Sequence, residues 1–458
     1  MELRDILKNL PEVKGPTEKK LSFNVKLKWT IIVLVGFFVM ANIALYGLAG
    51  NALARFEYLA VIMGTEFGSI ISLGIGPIVM ASIILQLLVG SKILNIDLTE
   101  PEGKKFFQGL QKLLVFFFII FEATIYVVMQ GLAPDAALGS YGPIILIFQL
   151  CLGGLAILFM DEICHKWGFG SGVSLFIAAG VGWRLIAAAF GFLGTQLTFQ
   201  PSGKVIALII SLMNADSQGT MLALAAILAT VILFLFIVWA QSLKIEIPLS
   251  YDRLRGYTMK WPLQFFYASN IPVILTAALV ANLQLFGGLL QNWLGHPTFL
   301  GNMVNGQAVS GFLYWISSTD IVSAIITGSW QWILLGQTAL HILFYMIISA
   351  IFSVFWVKTS GMDASNQAQN ILKSGLQIPG FRKDERILES VLSRYVLPLT
   401  VMGGLAIGLL AAAADVLGAM VGGTALLLGI MIIFQFAQNI LHQHQVDMNP
   451  AFKKVMGA

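Results

Sequence analysis

The chain has 458 residues, 57% of them hydrophobic and 11% charged, with a formal net charge of +4. Soluble globular domains carry roughly 25% charged residues, so the composition excludes an ordinary soluble domain and indicates a polytopic membrane protein. The two cysteines, Cys151 and Cys164, lie in or beside one apolar stretch, which gives neither a disulfide framework nor the spacing of a metal site.

Taken in chain order, the first predicted element is a short amphipathic helix. Leu3, Ile6, Leu7 and Leu10 recur at helical spacing among Arg4, Asp5 and Lys8, and Pro11 ends the run. Such a pattern lies on a membrane surface rather than crossing it. A span needs about 20 mostly apolar residues. Ten such stretches are predicted, at 29–49, 74–91, 107–131, 142–162, 170–190, 221–243, 263–286, 335–357, 395–414 and 423–442. The stretch 56–68, FEYLAVIMGTEFG, is half-apolar and too short to cross, so a re-entrant course is expected. These boundaries give an N-terminal segment (1–28), a first half (29–190), a connecting loop (191–220), a second half (221–442) and a tail (443–458).

Ten spans put both termini on one side. That side then holds 24 of the 27 lysines and arginines, leaving Arg55, Arg184 and Lys204 on the other. Positive residues mark the cytoplasmic face, so both termini are expected there. Two loops on that face, 244–261 and 358–394, are long and basic. Arg253, Arg255, Arg382 and Lys383 in them suit phosphate contacts with a large anionic partner.

The second span opens on Gly74-Ile75-Gly76-Pro77, and Ile75, Val79 and Ile83 follow at i, i+4 and i+8, along one helix stripe. The seventh span repeats the pattern. Aligned on the prolines, Ile75-Gly76-Pro77-Ile78-Val79 matches Asn270-Ile271-Pro272-Val273-Ile274. An odd number of spans in each half inverts the second half relative to the first, the arrangement of an inverted repeat with its functional helices at the interface.

Enzymatic and nucleotide motifs are missing from the sequence: no HExxH, no paired aspartates within spans, no serine with a partner histidine and no GxxxxGK[ST]. His341 reads as a satisfied structural histidine. Glu122 is the one clear ionisable residue inside a span and is a functional-site candidate. A solute transporter would need a more polar interior. A ring of branched aliphatic side chains instead makes a constriction that blocks ions by dewetting.

Five motifs in order, SLGIGPIV, GFGSGVSLFIAAG (168–180), SNIPVIL (269–275), GFRK (380–383) and GGTALLL (422–428), together resemble the SecY family. This is the large subunit of the protein-conducting channel, and the forms look most like its archaeal–eukaryotic branch. The resemblance implies an all-α fold of ten transmembrane helices in two inverted five-helix halves around a central pore, plus a short plug helix. It implies a passive channel, not an enzyme and without a cofactor. Such a channel translocates secretory polypeptides and releases hydrophobic segments into lipid through a lateral gate. The alternatives are an inverted-repeat solute transporter and a pore-less insertase.

Residue by residue, the resemblance puts a pore ring at Ile75, Val79, Ile83, Phe169, Val173, Ile274 and Leu428, with Phe169 departing from the usual aliphatic. It puts gate positions at Met80, Glu122 and Asn270, and a plug near 56–68 with Thr65 and Glu66 facing the external funnel. Gly74, Gly76 and Pro77 would form the hinge between plug and gate helix. Arg253, Arg255, Arg382 and Lys383 would dock the ribosome through ribosomal RNA. The implied partners are a one-span clamp subunit of the SecE or gamma type, a small beta-type accessory subunit, the ribosome with its nascent chain, signal sequences and membrane lipid. An archaeal cell membrane is expected rather than the endoplasmic reticulum.

Overall fold

The computed structural model describes residues 10–17, 21–51, 65–90, 93–96, 101–191, 203–251, 258–268, 270–304, 307–373, 376–377 and 384–448. In chain order the helices are α1 (Phe23–Ala41), α2 (Gly76–Gly90), α3 (Pro101–Val128), α4 (Gly142–Trp167), α5 (Gly172–Phe190), α6 (Lys204–Met213), α7 (Ser217–Gln241) and α8 (Ile271–Leu294). They continue with α9 (Phe312–Ile316), α10 (Ile321–Ile326), α11 (Trp332–Thr359), α12 (Ala364–Lys373), α13 (Glu385–Val416) and α14 (Gly423–Met448). Among the described residues, nine helices are long and apolar enough to cross a membrane. The remaining predicted span is α2, which has only 15 residues.

Several predicted boundaries shift, among them the starts of the third and ninth spans, which move from 107 to Pro101 and from 395 to Glu385. The first span, expected at 29–49, is helical over Phe23–Ala41. Asn42 closes it, its side-chain amide donating to the Phe38 carbonyl at 2.8 Å, and Leu48–Asn51 form a strand, β1. The seventh span begins at Ile271 rather than 263, because Thr258–Gln264 are a strand. The connecting loop predicted over 191–220 contains α6 and the start of α7, capped by the Asp216 carboxylate accepting from Gly219 N.

Three small sheets flank the helices. β1 pairs antiparallel with β2 (Leu132–Pro134). The basic loops predicted at 244–261 and 358–394 contain regular structure: β3 (Lys244–Tyr251) pairs with β4 (Thr258–Gln264) and, on its other edge, a later two-residue strand, Leu376–Gln377. Between α8 and α9 a hairpin is made by β5 (Asn302–Val304) and β6 (Gln307–Ser310), which makes Leu376–Gln377 strand β7.

There are two cores. The larger runs through both halves and contains Ile75, Val79, Ile274 and Leu428. The smaller lies at the basic end of the bundle, where Ile247 and Leu263 of the sheet, Ile371 of α12 and Leu388 and Leu392 of α13 pack together. It seats the two basic segments on the ends of α11 and α13, and the Tyr267 hydroxyl ties it by donating to the Met362 carbonyl at 2.6 Å. Within the second half α11 and α13 pack closely because Gly404 and Gly408 face α11; a Cβ on Gly404 would lie 2.8 Å from Ala350 Cα. Small residues let helices approach in this way in lipid.

The halves meet along two lines. On one, α5 packs against α14; on the other, α2 packs against α8 and α11. The short helix that carries the proline motif is therefore at the interface between halves, as the inverted repeat requires.

Candidate functional site

The site begins where the chain turns into α2. Gly74 has φ +54°, in the left-handed region, which costs a residue with a Cβ about 1–2 kcal/mol. Two short turn bonds, Gly74 N to Ile71 O at 2.8 Å and Gly76 N to Leu73 O at 3.2 Å, lead into the helix. Pro77 is the second helical residue, where its missing N–H would have had no intrahelical partner. Val79 N then donates to Ile75 O at 3.0 Å.

The same construction opens α8. Pro272 is its second residue, and Ile274 N donates to Asn270 O at 3.1 Å. Val79 and Ile274, matched by the proline alignment, thus make the equivalent backbone bond in two helices that pack against each other.

Six predicted ring residues fall in or against the larger core. Ile75, Val79, Ile83, Ile274 and Leu428 are buried in it, and Val173 packs on it from α5. Their helices are neighbours in series: α2 touches α8, α8 touches α14, and α14 touches α5. Gly429 lets α14 approach α5, since a Cβ there would come 2.5 Å from a methyl of Val181. Phe169 is buried but lies outside this cluster, and its ring is 5.3 Å from that of Phe23 of α1. A planar ring is wider than an aliphatic side chain, and here it finds an aromatic partner at the preferred separation.

The predicted gate seam, between α2 and α3 on one side and α8 and α11 on the other, is closed. Gly90 at the basic end of α2 sits directly against Phe355 of α11, whose ring a Cβ would overlap. At the opposite end Asn292 of α8 donates to the carbonyls of Met129 and Gln130 after α3, at 3.1 and 3.3 Å. Met80 is half-buried against the core. Glu122 is fully buried, and neither carboxyl oxygen has a hydrogen-bond partner among the described residues. Asn270 is buried at the N-terminal cap of α8 rather than within the span.

Residues 56–64 of the predicted plug lie outside the described residues, as do Arg253, Arg255, Arg382 and Lys383. Of the plug pair, Glu66 is exposed and 3.7 Å from Arg184 of α5. Thr65 instead is buried, because its hydroxyl donates to the Ile71 carbonyl at 2.5 Å and closes the turn. Residues 67–70 are tied to the end of the first helix: Leu45 N donates to Gly68 O at 3.0 Å and Ile70 N to Ile43 O at 2.9 Å.

Three residues escape the sequence reading. Asn282 is buried in the middle of α8, donating to Ala278 O at 2.9 Å, and its Oδ1 has no partner among the described residues; the signal was a lone amide in ALVANLQL. Asn292 and Arg184 have no local signal, because their partners are 162–163 and 118 residues away in sequence.

Comparison with known proteins gives one consistent result. The SecY family model matches residues 69–437. The protein translocase subunit SecY of Methanothermobacter thermautotrophicus is 42% identical over 457 residues, covering 98% of this chain and 97% of that protein. A solved structure concerning how the plug domain of a SecY protein stabilises the closed state of the translocation channel and maintains a membrane seal superimposes with a TM-score of 0.83. It is 37% identical and covers 99% of this chain and 100% of that one. Sec61 in the canine ribosome–channel complex from the endoplasmic reticulum gives a TM-score of 0.81 at 36% identity, covering 99% and 100%.

Proposed function

The chain belongs to the SecY family, and from that premise we propose that it is the large subunit of a passive protein-conducting channel in a membrane. The construction shared by Pro77 and Pro272 carries this reading. Two equivalent helices, one from each half, pack against each other and carry Val79 and Ile274 into the larger apolar core. A junction of that kind excludes hydrated ions by dewetting yet yields to a polypeptide pushed through it.

The resting state follows from the packing. Ring side chains are buried and the seam is closed at both ends. A signal sequence or apolar segment that intercalates between α2–α3 and α8–α11 gains about 0.8 kcal/mol per CH₂ buried in lipid. It thereby shifts a closed–open equilibrium toward the open state. Gly74, Gly76 and Pro77 form the hinge across which the plug, 56–68, leaves the pore while α2 stays wound. Met80, Glu122 and Asn270 line the gate. The channel supplies no energy of its own; elongation by a docked ribosome drives transport.

The basic end of the bundle faces the cytoplasm, supported by the 24-to-3 division of basic residues. Arg253, Arg255, Arg382 and Lys383 dock ribosomal RNA there, on segments anchored by the smaller core. A one-span clamp subunit and a small accessory subunit complete the complex. The similarity to archaeal relatives supports an archaeal cell membrane.

Photocrosslinking tests the proposal. Probes at Val79 and at Glu122 are challenged with ribosomes arrested on a secretory nascent chain. The expected result is a Val79 adduct with the mature part of the chain and a Glu122 adduct with its signal. Bound ribosomes without either adduct would leave a docking protein that conducts nothing.

A further inference from the structure

The last turn of α8 carries two adjacent amides that face opposite ways. Gln291 turns into its own half: its Nε2 donates to Asn302 Oδ1 at 3.1 Å and to Met303 O at 2.9 Å, and its Oε1 accepts from Met303 N at 2.6 Å. Asn292 turns across the seam to the first half, where Nδ2 reaches the carbonyls of Met129 and Gln130.

Those carbonyls lie just past the end of α3 at Val128, where no further helical turn supplies them with a donor. Here the chain leaves α3 through Gln130 in the left-handed conformation, φ +56°, a common way to end a helix though usually with glycine. The turn presents two successive carbonyls to one side. Asn292 Nδ2 donates to both.

We propose that Asn292 is a specificity-determining residue of the channel: bonded to Met129 and Gln130, it latches the non-basic end of the lateral gate and sets how hydrophobic a signal must be to open it. The inference rests on the channel reading above. Separating α3 from α8, which stand on opposite sides of the seam, breaks both bonds. Apolar packing at Gly90 and Phe355 closes the other end of the seam, so the latch is the polar one of two closures. Both groups regain water when the gate opens, so the net bias is that of one or two exposed hydrogen bonds. That corresponds to about two- to tenfold in the opening equilibrium. A bias of this size leaves strong signals unaffected and rejects weak ones.

The test uses the whole channel with its partner subunits in its native membrane. Export is measured for one secreted reporter bearing either its normal signal or a signal shortened in its apolar core. Asn292→Ala is expected to raise export of the weak-signal reporter about two- to tenfold, with normal-signal export unchanged. Asn292→Asp, which sets a carboxylate against two carbonyls, is expected to raise it at least as much. Gln291→Ala, which loses only contacts within its own half, is expected to leave stringency as it was. Weak-signal export unchanged in Asn292→Ala and Asn292→Asp, at normal channel abundance, would overturn the latch.

If abundance falls, a second measurement decides. With Gln130→Cys and Asn292→Cys together, oxidation is expected to stop normal-signal export and reduction to restore it. A pair that oxidises without stopping export overturns the latch. Failure of the unaltered channel to export the normal-signal reporter would instead count against the channel reading itself.

Discussion

Arg184 of α5 and Glu66, in the segment that leads into α2, face each other at 3.7 Å. The Glu66 side chain is 58% exposed and the Arg184 side chain 26%. Arg184 is also one of the three basic residues that the span count assigns to the face opposite the basic loops. The pair therefore ties the C-terminal edge of the predicted plug to the wall of the first half.

An exposed ion pair contributes about 0–1 kcal/mol. Glu66→Ala should thus raise resting ion leakage through the channel by no more than about fivefold, and added salt should mask the difference. Glu66→Lys should leak more, because it replaces attraction by repulsion. Reversing both residues, Glu66→Arg with Arg184→Glu, should return leakage toward the native level. Planar-bilayer conductance of the resting channel measures all three.

The apolar junction makes a stronger prediction. Val79 is 4% exposed and Leu428 fully buried. Val79→Asp places a carboxylate where no charge is compensated, at a cost of several kcal/mol, and water should enter to solvate it. Resting conductance should rise sharply, while Val79→Ile, which adds one methylene at a cost of about 1–3 kcal/mol, should stay tight. Leu428→Ala should lower stability by about 2–5 kcal/mol, read as a drop in the unfolding midpoint in detergent.

Gly153 of α4 underlies the turn that leads to the proposed hinge at Gly74, Gly76 and Pro77. A Cβ there would overlap the carbonyl oxygen of Ile70, a backbone atom that cannot rotate away. Gly153→Ala should destabilise the protein by about 1–3 kcal/mol and expose the 65–74 segment to protease. Gly182 of α5, whose Cβ would meet open space, is the contrast. Gly182→Ala should leave the segment protected and stabilise slightly, by up to about 1 kcal/mol.

At the basic end, residues 12–14 are strapped to the end of α4. Val13 N donates to Glu162 Oε2 at 2.9 Å, and Trp167 Nε1 donates to Lys14 O at 3.0 Å. Lys166 bonds Glu12 and also Val13 O, and Lys112 bonds Glu162. The hydrogen bond from Lys166 holds the Glu12 carboxyl below its ordinary value, against an opposing effect of burial. A lowered carboxylate pKa contributes stability that is present above the ordinary range and lost as pH falls through the native value. The strap should therefore hold at neutral pH and loosen below about pH 4. Thiol labelling of Val13→Cys should rise over that interval, and adding Glu12→Gln should flatten the profile.

The spans, the division of basic residues and the proline-opened helices were legible in the sequence, because hydropathy, topology and helix-start chemistry are local properties. The matching helix starts at Pro77 and Pro272 were legible for the same reason, since two similar local motifs begin their helices alike. Local signals did not place the first helix at Phe23–Ala41, where Asn42 rather than loss of hydropathy ends it. They did not reveal that the basic loops hold a sheet, whose strands β3 and β7 pair across more than a hundred residues.

Nor could they foresee Phe169 against Phe23, Glu66 against Arg184, or Asn292 against Met129 and Gln130. In lipid every apolar face is equally at home, so composition fixes which segments enter the membrane but not which ones touch. Those choices were made by close packing at glycines and by a few polar groups whose partners lie far away in the chain, and only the tertiary structure brings such partners within reach.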